Sequence, residues 1–293
     1  MKRRRLASII TVVAAVLAWP RVASAGPWMR EPGHVYLNVS YSHISASDFY
    51  TPDFQITPIQ PYQQHVLGFY GEVGLAPWLT ATLDGTLYRR NEILDRGYTE
   101  GVGDWRLGVW TALSRARVKL ALGLLVGIPL GDPSPSAGPL ADADAQQVAR
   151  SLPTGDGEWD VEARLSAGTS LGGERLWPVR HYLVAEAGFW QRTHNFSPSF
   201  TYKLEVGTQF PYRFVDRFWF IWRLAGVESL ASEKDAARDA TGLGNGVTYL
   251  SPGVAISGRI WKGLGATIGV DSALRGRSVA AAVQLYSSVS WQY

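Results

Sequence analysis

The 293-residue chain has no cysteine. That excludes disulfides, thiol chemistry and a lipid-modified N-terminal cysteine, so the fold rests on packing and hydrogen bonding alone. Long apolar runs are also missing. Past residue 25 no stretch approaches the roughly 20 apolar residues that a membrane-spanning helix requires. The chain therefore either crosses a membrane as strands or does not cross one. Histidine is scarce, with His34, His43, His65, His181 and His194 the full set. None has the i,i+4 spacing or the nearby carboxylates of a zinc site, so no metal and no cofactor is expected. A basic excess is lacking too once the N-terminus is set aside. Five of the 28 basic residues (Lys2, Arg3, Arg4, Arg5 and Arg21) and no acidic ones fall within residues 1–25, leaving 23 basic against 25 acidic side chains, a net of −2. Nothing here points to a nucleic-acid partner.

What is present begins with residues 1–25. A basic segment, Lys2 to Arg5, precedes an apolar one, Leu6 to Ala18, and Ala23-Ser24-Ala25 supplies a small-residue cleavage site. This reads as a cleaved secretory signal. Residues 26–293 then form one domain, rich in aromatics (12 Trp, 13 Tyr) and glycine (31).

Alternation is the dominant signal. From Val279 to Tyr293 every second residue (Val279, Ala281, Val283, Leu285, Ser287, Val289, Trp291, Tyr293) is apolar or small, and the intervening set ends in Gln284, Tyr286, Ser288, Ser290 and Gln292. A period of two over fifteen residues means a strand with different surroundings on its two sides. A terminal aromatic on such a strand resembles the C-terminal signal of outer-membrane β-barrels, so Trp291 and Tyr293 are candidates for recognition by the barrel-assembly machinery.

Eleven further segments follow the same plan. The third sets Leu79, Ala81, Leu83, Gly85 and Leu87 against Thr80, Thr82, Asp84, Thr86 and Tyr88, and the sixth sets Trp159, Val161, Ala163, Leu165 and Ala167 against Glu158, Asp160, Glu162, Arg164 and Ser166. Between segments the sequence predicts a proline-containing loop (Pro52, Pro58, Pro61) to about Gln63, a charged loop from Arg89 to Val102, an irregular stretch from Pro129 to Gly157, and a brief loop at Arg275 to Ser278. The fold class expected is all-β: a transmembrane antiparallel up-and-down barrel of about twelve strands, with short periplasmic turns, longer extracellular loops and outer-membrane lipids around it. Tyr41, Trp105, Trp159, Phe189 and Tyr202 would ring the outer rim. Trp78, Phe210, Phe218, Trp291 and Tyr293 would ring the inner one.

The candidate site is the set of inward charges: Asp84, Arg106, Glu162, Arg164, Glu186, Lys203, Glu205 and Arg223. Arg164, Glu186, Lys203, Glu205 and Arg223 fall at similar mid-height, where opposite charges can pair across strands. Such a belt either lines a constriction or forms a self-neutralising plug. Glu186 is expected beside a cation, Arg164 or Lys203, because an unpaired carboxylate in a low-dielectric lumen is costly. His194-Asn195-Phe196-Ser197 offers the residue types of a rim hydrolase but falls in a loop, and no catalytic residue is expected. Gly242 to Gly246 lacks the helix a phosphate site requires.

Three short motifs add a resemblance. Gly101-Val102-Gly103-Asp104, Pro129-Leu130-Gly131-Asp132 and Gly155-Asp156-Gly157, in that order, resemble the bacterial outer-membrane family named for the meta-pathway of phenol degradation. The third departs from the family's usual Gly-x-Gly spelling. The resemblance spans roughly residues 65–293 and implies a barrel that passes small organic compounds, often aromatic, with no catalytic residues. The expected function is an outer-membrane channel or uptake protein for small organic solutes. The alternatives are a barrel-mounted lipid hydrolase and a closed structural or adhesive barrel.

Overall fold

The structure is a computed structural model that describes residues 26–137, 142–174, 178–212, 214–237 and 240–293. The expected signal segment lies outside these residues. The strands are β1 (Val35–Tyr50), β2 (Ile56–Ala76), β3 (Leu79–Ile93), β4 (Gly97–Gly101), β5 (Trp105–Arg115), β6 (Lys119–Ile128), β7 (Asp160–Gly172), β8 (Arg180–Arg192), β9 (Ser199–Gln209), β10 (Phe218–Ser229), β11 (Thr248–Trp261), β12 (Leu264–Ser272), β13 (Arg275–Arg277), β14 (Val279–Ala280) and β15 (Val283–Gln292). Among the described residues one α-helix, α1 (Ala143–Arg150), sits between β6 and β7.

Twelve of these strands close an antiparallel barrel, with β4, β13 and β14 as short additions above it. Closure joins β1 to β15, from Tyr36 opposite Gln292 to Ile44 opposite Gln284. The terminal residue completes the seam, since Val35 and Tyr293 exchange backbone hydrogen bonds of 3.1 and 3.0 Å. A closed sheet has no free edge, and this lets unbroken strands stand in a medium that offers no hydrogen bonds. Outward positions are apolar and exposed, among them Leu107, Val109, Leu122, Leu124, Leu165, Leu204, Ile256, Ile268 and Leu285. Tyr41, Trp159 and Phe189 are exposed toward one rim, and Trp78, Phe218, Trp291 and Tyr293 toward the other. Together these features form the lipid-facing band of an outer-membrane barrel.

Several local expectations need correction. The proline loop is shorter than predicted, because β2 already starts at Ile56 and contains Pro58 and Pro61. Up to residue 61 it pairs only with β1, since its pairing with β3 begins at Tyr62, so an imino acid costs no ladder bond on that free side. The charged loop at 89–102 is mostly hairpin, with β3 running to Ile93 and returning as β4. Tyr88 does not face the lumen. A bulge between the Leu67–Tyr88 and Gly68–Thr86 pairs shifts the register, and the Tyr88 hydroxyl donates to Glu100 on the outside. The last strand is interrupted as well: β14 pairs with Phe49 and Tyr50, and the regular ladder resumes at Val283. At 21 residues, β2 is about twice the length a tilted strand needs to cross a bilayer. β1, β2 and β3 therefore stand well above the membrane as a raised wall.

The folded protein is expected to fractionate with the outer membrane and to run faster on a gel unheated than boiled. Recovery as a soluble periplasmic species would contradict a membrane barrel.

Candidate functional site

The inward charges form a connected ladder around the lumen. The Glu162 side chain is fully buried and receives Arg106 at 3.2 Å and Arg164 at 2.7 Å. The Thr201 hydroxyl donates to its other oxygen. Arg106 also approaches Asp160 at 3.7 Å. Glu186 lies 3.2 Å from Lys203 and 3.7 Å from Arg164, and the Ser166 hydroxyl donates to it at 3.2 Å. The strands account for these meetings. Ser166 and Lys203 are the direct cross-strand partners of Glu186 on either side. Arg223 is the backbone partner of Glu205, yet its guanidinium reaches over Gly253, the backbone partner it shares with Asp271, to Asp271 at 2.7 Å and donates to the Tyr286 hydroxyl at 2.7 Å. Glu205 instead accepts from the Tyr182 hydroxyl at 2.8 Å. Asp84 lines a cavity together with Arg164, Glu186 and Lys203. Charge-assisted bonds of this kind fix side chains firmly, so the belt is a built structure of defined geometry.

Residues 26–34 do not lead directly from the periplasm into β1. They run up inside the barrel. A methyl placed on Gly26 would stand 3.6 Å from Val184, 3.7 Å from the Glu186 carboxylate and 3.8 Å from Ser166, which puts this residue at the belt itself. Trp28 meets Tyr182 edge to face with ring centroids 6.4 Å apart. Met29 packs on the buried trio Trp110, Ala121 and Leu125. Arg30 pairs with Glu72, whose carboxylate also accepts from the Tyr70 hydroxyl at 2.6 Å. This segment divides the lumen. Beside it lies a cavity of about 760 Å³ walled by Tyr36, Tyr70, Tyr182, Tyr286, Lys203 and Arg223, and against Met29 and Trp110 a smaller one of about 220 Å³.

The opposite mouth is covered by the chain between β6 and β7. Leu152 and Val148 pack into an apolar cluster with Ala46, Tyr62 and Ala280 on the inner wall of the raised strands. Asn91 donates to the Pro153 carbonyl at 2.6 Å, and Gln64 donates to the Thr241 carbonyl at 3.5 Å from the loop after β10. The three glycine motifs meet here. One oxygen of Asp104 accepts from the Gly131 amide at 2.9 Å, and the other accepts from the Asp156 amide at 2.8 Å. The Asp132 carbonyl accepts from Thr154 at 2.9 Å. Gly131 and Gly155 lie back to back, and a Cβ on either would overlap the other's backbone. Glycine is therefore required where the two limbs of the loop cross, and Asp104 pins the crossing to the wall.

One guanidinium beside the crossing serves two carboxylates. Arg192 contacts Asp156 at 3.0 Å and also Glu158, which accepts from the Thr193 amide. Burial, only partly offset by Arg192, pushes Asp156 up to about 6 and Glu158 up to about 7. A carboxyl whose pKa is raised by folding binds its proton more tightly in the folded state. Its contribution to stability is therefore greatest at low pH and declines as pH rises from about 4 through about 7. Amide exchange across residues 152–159, corrected for its intrinsic pH dependence, is expected to be slower at pH 5 than at pH 8. The reverse order would contradict this arrangement.

The eight candidate lumen residues all face inward, seven of them in direct polar contacts, with Asp84 apart from the ion pairs. Reasoning from sequence missed Asp271, although the parity of Gly265, Thr267 and Gly269 places it on the lumen face. It also missed the inward course of residues 26–34, for which only the two apolar side chains Trp28 and Met29 offered a hint.

No family model matches this sequence, and no curated protein matches it. Among solved structures, the COG4313 outer membrane channel from Pseudomonas putida F1 superposes with a TM-score of 0.59 at 14% identity, covering 93% of this chain and 100% of that one. The KdgM porin in complex with disordered oligogalacturonate gives 0.44 at 7% identity, covering 87% and 99%. LpxR from Salmonella typhimurium gives 0.46 at 9% identity, covering 87% and 99%. The first of these similarities places the fold of this chain among the outer-membrane β-barrels.

Proposed function

We propose that the chain is exported with residues 1–25 removed and serves as an outer-membrane channel for small organic solutes. The observation that carries this reading is the cavity of about 760 Å³ beside the charged belt, lined by residues of the 28–34 segment as well as by wall side chains. A barrel acting only as a scaffold has no need of such a chamber. In this reading the lumen has two barriers, residues 26–34 on the periplasmic side and residues 148–156 at the outer mouth. Four tyrosine faces among charged groups suit solutes that combine a ring with polar substituents, in keeping with the resemblance to the phenol meta-pathway family. The belt of Asp84, Arg106, Glu162, Arg164, Glu186, Lys203, Glu205 and Arg223 acts as the constriction. Glu186→Gln is expected to shift ion preference toward anions in a planar bilayer, because fixed charge beside a narrow path sets selectivity. Unchanged reversal potentials would remove Glu186 from the pathway.

The hydrolase alternative would draw on the loop at 194–197. There His194 is exposed with φ +48, and the Ser197 backbone amide donates to Asn245 at 2.9 Å.

Trp291 and Tyr293 are proposed as the signal for the barrel-assembly machinery. Both are exposed and stack with ring centroids 6.0 Å apart. Replacing both by alanine keeps the backbone bonds that close the barrel while removing the aromatic faces. The amount of folded protein in the membrane is expected to fall several-fold, and unchanged levels would show the aromatics to be incidental.

A further inference from the structure

Gly26 is the first residue after the Ala23-Ser24-Ala25 cleavage site, and it lies in the lumen against Glu186. The inference here rests on the proposed removal of residues 1–25. Cleavage after Ala25 converts the Gly26 nitrogen from an amide into an α-ammonium. That nitrogen is within about 2.5 Å of the Cβ position by standard geometry. With Cβ 3.7 Å from the Glu186 oxygen, the charge stands no more than about 6 Å from the carboxylate.

We propose that Ser166 and Glu186 form a receptor for the protein's own processed N-terminus, whose α-ammonium binds as a cationic ligand. The ion pairs around Glu186 support this. Arg164 lies 2.7 Å from Glu162 and only 3.7 Å from Glu186, so among the described residues the one cation close to Glu186 is Lys203 at 3.2 Å. The ammonium supplies a second. Glu186 can accept it, since each carboxylate oxygen offers more than one lone pair and, among the described residues, Oε2 has only Arg164, at the long distance of 3.7 Å. The contacts below the terminus set its height, with Trp28 on Tyr182, Met29 on the Trp110 cluster and Arg30 on Glu72. Signal cleavage then has a structural consequence: an uncleaved chain carries a neutral amide at this point and cannot make the pair.

The test uses the full-length precursor expressed and purified from the outer membrane. Intact mass should show a chain beginning at Gly26; a different first residue would overturn the proposal. An N-hydroxysuccinimide acetate pulse near neutral pH then labels free amines, and peptide mass spectrometry compares Gly26 with the exposed Lys262. In the folded wild type, Gly26 should acetylate at least tenfold more slowly than in the urea-unfolded protein. In Glu186→Gln the protection should fall severalfold. Inserting Gly-Ser between Ala25 and Gly26 displaces the ammonium without touching the barrel wall, and it should cause the same loss. Equal labelling of folded and unfolded wild type would overturn the proposal, as would protection unchanged by both Glu186→Gln and the insertion. Bilayer conductance of the same preparations judges the channel reading separately. A conducting barrel with a freely labelled Gly26 keeps the channel and loses the receptor. A barrel that never conducts but protects Gly26 does the opposite.

Discussion

Glu162→Ala is expected to destabilise the folded barrel by about 3–5 kcal/mol, the cost typical of removing one partner from a buried ion pair. Glu162 is fully buried and is the meeting point of Arg106, Arg164 and Thr201. Its loss leaves two guanidinium groups in the lumen with only the longer contacts to Asp160 and Glu186, both 3.7 Å. The energy comes from stranding these cations and not from the intrinsic worth of the pairs, so Glu162→Gln should recover part of it by still accepting a hydrogen bond. Urea titration of the protein folded into lipid vesicles measures both. An effect below about 1 kcal/mol would mean that the arginines find water or other partners readily, and that the belt is wet and loose.

The second large effect tests the two faces of a single strand. Arg164 and Leu165 are adjacent in β7. The first joins the belt, and the second is 46% exposed on the outside. Leu165→Arg is expected to cost about 2–4 kcal/mol, the range for a basic residue facing lipid near the bilayer midplane. At position 164 an arginine is already in place, and Arg164→Lys should cost less, because the charge is kept while the two-pronged contact with Glu162 is lost. Equal tolerance of charge at both positions would mean that the register of β7 is wrong, and the belt would dissolve with it.

The sequence made these faces legible because lipid and lumen are such different solvents. Wherever a strand lies between them, as with Val161 to Ala167 against Asp160 to Ser166, the period of two is enforced at every residue. Above the membrane that pressure ends. There Leu87 bulges and Tyr88 turns outward to Glu100, while Pro58 and Pro61 enter a strand on its free side. The lumen contents were less visible for a different reason. Glu186 and its partners on the next strands follow from parity, but Arg223 reaches past the neighbouring strand, over Gly253, to Asp271 two strands away. Residues 26–34 have no periodicity at all. Their positions come from partners such as Glu72 and Tyr182, which lie far along the chain. The glycine motifs were visible as short words, and their purpose appears only when Asp104 is seen holding Gly131 and Asp156 together.

The central claim is that the lumen is a solute path closed by two displaceable segments. Single-channel recording in planar bilayers tests it most directly, comparing the wild type with a variant lacking residues 26–32 and with Asp104→Ala, which releases the outer loop. The account predicts small or rare conductance steps for the wild type. It predicts larger and longer openings when either barrier is loosened, and the largest when both changes are combined. Correctly folded variants that all remain silent, the combined one included, would show the barrel to be sealed by its own wall and would contradict the account.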